Sequence, residues 1–189
     1  MRAVFLDRDG TINEDVGHIT DPEMFQLIPD SVEAMKRLRK AGFCLPLITN
    51  QAGVGRGLMT EQHLNRVLAA FQDLLDKEGT YLDGVYYCPH HPDEGIGAYK
   101  QNCDCRKPGA EMLKRAARDL DIDLSPSYMI GDHWSDVLAG VAAGCQGIML
   151  RTGHGPKEID RLAPQELEKA AYVADNLSEA TDWILDRES

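Results

Sequence analysis

The sequence predicts an α/β fold in which helices cover both faces of a parallel sheet. Short apolar runs alternate with amphipathic segments along the 189 residues, as strands and helices do in such folds. Several of the runs have no polar face, which is typical of strands that are buried on both sides. No repeat, linker or low-complexity stretch interrupts the alternation, so we expect a single domain spanning residues 1–189.

Six apolar segments are predicted to be strands. In chain order they are residues 3–6, 43–48, 85–87, 127–130, 147–150 and, at the edge of the sheet, 172–174. Between them we expect polar connections without regular structure, of which the longest are residues 13–29, 51–57, 88–107 and 152–164.

Five amphipathic segments are predicted to be helices. Asp30 and Ser31 can cap the first, which Gly42 ends, and Thr60 can cap the long second helix. Pro108 can open the third helix in its first turn. Gly144 ends the fourth, and the last covers residues 178–185. The apolar stripe of the second helix indicates core packing.

Composition restricts the class of protein. The net charge of −11 argues against binding nucleic acid or anionic membranes, since both need a basic surface. Only four apolar residues, 3–6, precede Asp7, and no apolar run approaches the roughly 18 residues of a membrane span. We therefore expect a cytoplasmic protein. Its five cysteines are then expected to be thiols or metal ligands, with Cys44 and Cys145 as buried apolar residues.

Two carboxylates follow the first strand. Asp7 and Asp9 are two positions apart and Gly10 permits a turn, so both side chains are expected at the carboxyl end of the strand. Ligands of open α/β sheets bind at that edge. Two close carboxylates repel each other unless a cation joins them, and oxygen ligands suit Mg²⁺. A polar turn that only closes the strand is the alternative interpretation.

Three further residues are placed to reach the same edge. Thr49 and Asp132 each follow a predicted strand, and Lys107 precedes a helix. Together with Asp7 and Asp9 they could perform phosphoryl transfer. A carboxylate can attack phosphorus, and Asp9 can move a proton to the leaving group and from water. Mg²⁺ could be held by Asp7, Asp132 and the backbone carbonyl of Asp9, while Thr49 and Lys107 donate to the phosphoryl oxygens.

The loop of residues 88–107 contains a possible zinc site. Its soft or borderline ligands form two close pairs, Cys88 with His90 and Cys103 with Cys105. A full set of four leaves no open coordination position, which indicates a structural site. His91 is a rival to His90, and unrelated buried cysteines are the alternative. Because the loop ends in Arg106 and Lys107, zinc would position those two residues.

Four motifs give the chain a family resemblance. They are residues 7–11 (DRDGT), Thr49 with Asn50, Lys107 with Pro108, and Gly131 and Asp132 with Asp136. These motifs, which extend over nearly the whole chain, resemble those of the haloacid dehalogenase (HAD) phosphohydrolases. The resemblance implies a Rossmann-like fold, Mg²⁺ and an aspartyl-phosphate intermediate. The segments around the motifs leave no room for a cap domain, so we expect an open site whose specificity comes from loops.

Three stretches narrow the resemblance to one branch of that family. Residues 49–53, 86–92 and 103–108 are similar to the branch that acts on heptose bisphosphates. This similarity implies removal of the C7 phosphate of D-glycero-D-manno-heptose 1,7-bisphosphate during nucleotide-activated heptose synthesis, including that for lipopolysaccharide. Histidinol phosphate is the alternative substrate. A phospho-accepting receiver domain and a zinc-dependent interaction module are the alternatives from other classes.

The resemblance also implies roles for individual residues. Asp7 is the nucleophile, Asp9 is the general acid and base, and metal is expected on Asp7, Asp9 and Asp132. It favours His90 over His91 as the zinc ligand. Substrate contacts are expected from Asp15, Val16, Gly17, His18, Thr49, Asn50, Gln51, Ala52, Arg106 and Lys107. His133 is included as a substrate contact, although a different basic or amide side chain is expected there. The expected partner is a small phosphorylated sugar, bound by a monomer.

Overall fold

A six-stranded parallel sheet forms the centre of the computed structural model, which describes residues 1–187. The strand order is β3-β2-β1-β4-β5-β6. The bounds are Val4–Leu6 (β1), Pro46–Asn50 (β2), Gly84–Cys88 (β3), Tyr128–Gly131 (β4), Gln146–Leu150 (β5) and Tyr172–Ala174 (β6). The predicted α/β class is therefore confirmed.

Helices connect the strands. Their bounds are Ser31–Lys40 (α1), Ala52–Gly55 (α2), Glu61–Lys77 (α3), Glu111–Leu120 (α4), Trp134–Ala143 (α5), Gly155–Ile159 (α6), Pro164–Leu167 (α7) and Leu177–Arg187 (α8). Two 3₁₀ turns, Pro22–Met24 and Gly97–Tyr99, lie in the connections after β1 and β3. Among residues 1–187, no helix combines the length and the apolar character that a membrane crossing requires.

The core lies in two layers, one on each face of the sheet. Alternate residues of β1 point to opposite faces, so Leu6 packs into one layer and Phe5 into the other. The first layer contains buried side chains of α1, α3 and α8, and the second contains those of α4 and α5. Because β1 is bracketed by β2 and β4, the residues that follow these three strands meet at one edge of the sheet.

Some of the predicted helix ends are confirmed and one is not. Thr60 accepts a hydrogen bond from the His63 amide at 3.1 Å, and Gly144 ends α5 with a left-handed φ of 99°. The expected side-chain cap at Asp30 is wrong, because that residue has a φ of 65° and makes no capping hydrogen bond. The neighbouring Ser31 hydroxyl instead donates to the Ile12 carbonyl at 3.0 Å.

Several element boundaries differ from the prediction. Helix α4 begins at Glu111 rather than at Pro108, since residues up to 109 form the exit of the cysteine-containing loop. Strand β2 begins at Pro46, and Cys44 makes only an isolated bridge to Ala3. The connection at residues 51–57 contains helix α2, and that at 152–164 contains α6 and the start of α7. Short helical turns therefore occupy parts of two connections for which no regular structure was predicted.

Candidate active site

A polar cavity of about 570 Å³ opens at the carboxyl ends of β1, β2 and β4. Its lining contains carboxylates, cationic side chains and amides, which suits a small charged ligand. The lining residues are Asp7, Asp9, Asp15, Gly17, His18, Thr49, Asn50, Gln51, Ala52, Arg56, Arg106, Lys107, His133, Ser135, Asp136 and His154.

Lys107 lies buried at the floor of this cavity. Its ammonium group contacts Asp7 Oδ1 at 2.8 Å and Asp136 Oδ1 at 2.6 Å, and donates to the Ile48 carbonyl at 2.8 Å. Burial alone would lower the pKa of Lys107, but the carboxylates of Asp136 and Asp7 outweigh burial and raise it. Lys107 therefore stays cationic and faces the Asp7 carboxylate.

Asn50 fixes the backbone that carries Lys107. Its Oδ1 accepts from the Lys107 amide at 3.0 Å, and its Nδ2 donates to the Lys107 carbonyl at 3.2 Å. This reciprocal pair joins the end of β2 to the exit of the cysteine-containing loop. Two sequence-predicted residues are thus brought together, with Asn50 holding the backbone of Lys107.

The Asp9 carboxylate is turned towards the buried guanidinium of Arg8. Arg8 Nε donates to Asp9 Oδ1 at 2.9 Å and Nη2 donates to Oδ2 at 2.6 Å. Gln51 extends the network, since its Oε1 lies 3.4 Å from Arg8 Nη2 and its Nε2 donates to Thr49 Oγ1 at 3.0 Å. Burial raises the pKa of Asp9, whereas Arg8 opposes that rise and Asp7 adds to it. In this conformation both carboxylate oxygens of Asp9 are occupied by the Arg8 guanidinium.

Asp132 is fully buried behind the lining, and protein groups satisfy only one of its two carboxyl oxygens. Its Oδ2 accepts from the His154 amide at 2.7 Å, while its Oδ1 has no hydrogen-bond partner among residues 1–187. Burial, followed by the nearby Asp7 and Asp136 carboxylates, raises the pKa of Asp132 to about 8. A Cβ at Gly10 would lie 2.1 Å from Asp132 Oδ2, so only glycine leaves room there.

This arrangement fits a hard divalent cation. Oxygens of Asp7, Asp132 and Asp136 lie within 4.8 Å of one another, and all three side chains are buried. A cation among them would offset the mutual repulsion and would give Asp132 Oδ1 a partner. The Asp9 side chain is not part of this cluster, whereas Asp136 is, although Asp136 was not among the predicted metal ligands.

The four expected zinc ligands converge in space. The Cys105 sulfur lies 3.1 Å from the Cys88 sulfur, 3.2 Å from that of Cys103 and 3.4 Å from His90 Nδ1. The Cys88 sulfur lies 3.5 Å from the Cys103 sulfur and 3.6 Å from His90 Nδ1. Four such atoms at nearly equal separations fit a tetrahedral metal ion. His91 is turned away, with its Nδ1 bound by the amides of Asp93 and Glu94 at 3.3 and 3.0 Å.

Cationic side chains line the cavity near its opening. Arg56 Nη1 lies 3.0 Å from His18 Nε2, and Arg56 Nη2 pairs with Glu94 at 2.5 Å. Arg106 donates to the His90 carbonyl at 3.1 Å, which ties it to the metal-ligand loop. The predicted contact Val16 lies outside the lining and its side chain is exposed.

Four lining residues were not among the predicted contacts: Arg56, Ser135, Asp136 and His154. Asp136 belongs to a motif that the sequence displays, but its contact with Lys107 depends on the fold. His154 lies shortly after the end of β5, and this position is the sequence feature that could have predicted its place in the cavity. Its Nδ1 lies 2.8 Å from Asp15 Oδ2, and its ring stacks on that of His133.

The sheet order and the residues at its edge define a HAD-like hydrolase. A family model described as HAD-hydrolase-like matches residues 104–180. This segment includes Lys107 and Asp136, which meet at the cavity floor, and Asp132, which lies behind them beside Asp136. The HAD-type fold predicted from the motifs is thereby confirmed.

Similar proteins narrow the family further. The D-glycero-beta-D-manno-heptose-1,7-bisphosphate 7-phosphatase of Haemophilus ducreyi is 43% identical over 179 residues, which cover 91% of this chain and 98% of that protein. The protein of the same name from Escherichia coli K12 is 39% identical, with 96% and 93% covered. A crystal structure of D,D-heptose 1.7-bisphosphate phosphatase from B. bronchiseptica, complexed with magnesium and phosphate, superposes with a TM-score of 0.83 at 32% identity and covers 99% of both chains.

The chain belongs to the family of D-glycero-beta-D-manno-heptose-1,7-bisphosphate 7-phosphatases. It is accordingly a phosphoric monoester hydrolase, as the four motifs predicted.

Proposed function

We propose that the chain hydrolyses the C7 phosphate of D-glycero-β-D-manno-heptose 1,7-bisphosphate. The observation that carries this proposal is the Asp7 carboxylate held 2.8 Å from the buried Lys107 ammonium at the floor of a polar cavity. The cationic side chains of Arg56 and Arg106, and the imidazole of His18, also line the cavity and provide contacts for a second phosphate. The activity for which the relatives are named supports a heptose bisphosphate, and its β anomer, over histidinol phosphate.

Asp7, Asp132 and the Asp9 backbone carbonyl are the groups proposed to hold Mg²⁺. When bound, the ion supplies charge neutralisation that lets an anionic carboxylate approach an anionic phosphate. Asp136 is held differently, since its Oδ2 accepts from the His133 amide at 3.0 Å and its Oδ1 contacts Lys107. We therefore assign Asp136 to holding Lys107 in place.

In the first half-reaction an Asp7 carboxylate oxygen attacks phosphorus and the bond from phosphorus to the C7 oxygen breaks. Lys107 and Thr49 donate to the phosphoryl oxygens as charge develops on them. Asp9, turned away from Arg8 and protonated, gives its proton to the departing C7 oxygen. The products are an aspartyl-phosphate on Asp7 and the heptose 1-phosphate.

In the second half-reaction water attacks the same phosphorus atom. Asp9, now ionised, takes a proton from that water, and the bond between phosphorus and Asp7 breaks. Inorganic phosphate leaves and Asp7 returns to its carboxylate form. The Arg8 guanidinium can receive the ionised Asp9 again, because Arg8 already forms a two-point contact with it.

The cysteine-containing loop is proposed to hold zinc in a structural role. Its four ligands are Cys88, His90, Cys103 and Cys105, which leave no position for a reacting water. The loop delivers Arg106 and Lys107 to the cavity, so zinc acts on catalysis through their placement. A cytoplasmic location and a monomeric state remain part of the proposal, the former supported by five cysteines that form no disulfide among the described residues.

The test is a comparison of phosphate release from the β-heptose bisphosphate, its α anomer, heptose 7-phosphate and histidinol phosphate at saturating Mg²⁺. We expect the highest kcat/KM for the β-bisphosphate. A higher kcat/KM for histidinol phosphate would contradict the proposal. Asp7→Asn protein serves as the control for contaminating phosphatases.

A further inference from the structure

Two histidines form part of the cavity wall, away from the Lys107 floor. The imidazole rings of His133 and His154 stack with centroids 4.6 Å apart and an interplanar angle of 27°. His133 directly precedes α5 and His154 directly precedes α6, so two separate strand ends bring them together. Both side chains are partly open to the cavity. The phosphatase chemistry described above uses neither ring nitrogen.

Each ring is oriented by a carboxylate at its Nδ1. His133 Nδ1 lies 2.8 Å from Glu158 Oε1, and His154 Nδ1 lies 2.8 Å from Asp15 Oδ2. A carboxylate only accepts hydrogen bonds, so Nδ1 of each ring carries the donated proton. No contact of Nε2 is found for either ring within residues 1–187. The Nε2 atoms are therefore the groups that remain for a ligand.

The orienting carboxylates are themselves anchored by backbone amides. Asp15 Oδ1 accepts from the Gly17 amide at 2.9 Å, and Glu158 Oε2 accepts from the Trp134 amide. The backbone of His154 is also fixed, because its amide donates to Asp132 Oδ2 at 2.7 Å. The two rings are thus held in place before any ligand arrives.

We propose that His133 and His154 form a second metal site that binds a borderline divalent transition metal, such as Zn²⁺, through their Nε2 atoms. A ring that donates its other N–H to a carboxylate is the usual form of a metal-ligating histidine. Imidazole ligands suit Zn²⁺, Ni²⁺ and Cu²⁺ rather than Mg²⁺. One ring nitrogen of each histidine and a carboxylate oxygen of Asp15 lie within 4.8 Å of one another, so the two rings are close enough to share one ion.

The charges around His133 and His154 determine whether the two rings bind a cation or an anion. With neutral imidazoles, Asp15 and Glu158 give the cluster a charge of −2, which a divalent cation cancels. With both rings protonated, the cluster is only neutral and gives no net attraction to a phosphate. The electrostatics therefore favour a cation.

The site adjoins the catalytic cavity, so a bound transition metal obstructs substrate. We expect Zn²⁺ to raise the apparent KM for the phosphate ester at constant Mg²⁺. Only this kinetic readout rests on the proposed function. Zinc binding itself is measured without substrate. A protein that binds no additional zinc can therefore be distinguished from one that does not hydrolyse the heptose bisphosphate.

The direct test is calorimetric titration of Zn²⁺ into protein that already contains zinc at its cysteines and is saturated with Mg²⁺. We expect one additional saturable site in the wild type. Glu158→Gln should weaken it by roughly 10–100-fold, as is usual for groups that orient a ligand. His133→Asn and His154→Asn should each weaken it at least as much. His63→Asn, which alters an imidazole outside the cavity, is the matched control and should bind as the wild type does.

Two outcomes would overturn the proposal. One is the lack of an additional zinc site, or a site that persists unchanged in both histidine variants. The other is histidine-dependent binding of inorganic phosphate without binding of Zn²⁺, which would make the wall an anion site. Copper(II) paramagnetic resonance on the wild type adds a measurement that needs no variant. Coupling to two imidazole nitrogens would support the site, and coupling to none would contradict it.

Discussion

Substitution of Lys107 by methionine tests the floor of the cavity. The change keeps the length of the side chain but removes a cation that contacts Asp7 at 2.8 Å and Asp136 at 2.6 Å. Loss of one preorganised donor to a transition-state oxygen typically lowers kcat by about 10²–10³-fold. We expect a loss of that size in kcat for phosphate release at saturating Mg²⁺.

The same substitution should also destabilise the fold. It leaves two buried carboxylates without their partner, and breaking a buried pair costs about 3–5 kcal/mol. For a chain of this size that corresponds to a fall in Tm of roughly 6–20 °C. Burial raises the pKa of Asp136 to about 6 even with Lys107 present. Asp136 should therefore take up a proton more readily in the variant, so the fall in Tm should be smaller at pH 5 than at pH 8.

The assay pairs phosphate release with thermal unfolding of the same preparations. Lys114→Met is the matched control, because Lys114 is an exposed lysine on α4. Its kcat and Tm should equal those of the wild type. A Lys107→Met protein with kcat within tenfold of the wild type would refute the role assigned to Lys107. Lys107→Arg should not restore activity, since a planar guanidinium cannot reproduce three contacts in different directions.

Four further changes test the remaining parts of the site. Asp7→Asn should abolish turnover while leaving the protein folded, because the attacking oxygen is lost but the shape of the side chain is kept; a kcat within tenfold of the wild type would contradict this. Asp9→Asn should slow release from sugar phosphates by roughly 10²–10⁴-fold but slow the p-nitrophenyl phosphate burst much less, since that leaving group needs no proton; equal burst defects would exclude the acid role. Cys105→Ser should lower bound zinc, measured by metal analysis, and reduce activity on good and poor leaving groups alike, because Lys107 serves both; a zinc-free wild type with full activity would refute this link. Finally, burial and neighbouring carboxylates raise the pKa of Asp132 to about 8. Between about pH 4 and 8, the metal-free folded protein therefore holds a proton on Asp132 that the unfolded chain has released. The Tm of the metal-free protein should accordingly fall as the pH rises through this range. Added Mg²⁺ should recover Tm most at the upper end of that range; a Mg²⁺ effect that is larger at pH 5 would contradict the assignment.

The sequence predicted those features that depend on local pattern. Six strands and the long helices follow from apolar periodicity, and the end of each strand indicated where Asp7 and Asp132 would lie. The order of the strands could not be read from the sequence, because a parallel crossover can place the next strand on either side. The short helices α2, α6 and α7 were missed because their few residues give no periodic signal.

The sequence predicted which residues form the site better than it predicted the contacts that those residues make. The convergence of Asp7, Thr49 and Lys107 in the cavity, with Asp132 close behind Asp7, was expected from their positions at strand and helix ends. The turning of Asp9 towards Arg8 was not, because it depends on the burial of a guanidinium that the sequence presents as an ordinary polar residue. The pairing of His133 with His154 joins residues from two strand ends, so only the tertiary structure displays it.

Regiochemistry of phosphate release tests the central claim most directly. Phosphorus-31 NMR can follow the two phosphates of D-glycero-β-D-manno-heptose 1,7-bisphosphate during turnover with Mg²⁺. We predict that the C7 resonance is replaced by inorganic phosphate while the C1 resonance is retained. Loss of the C1 phosphate first, or no turnover of this bisphosphate by an enzyme that hydrolyses other esters, would contradict the proposed function.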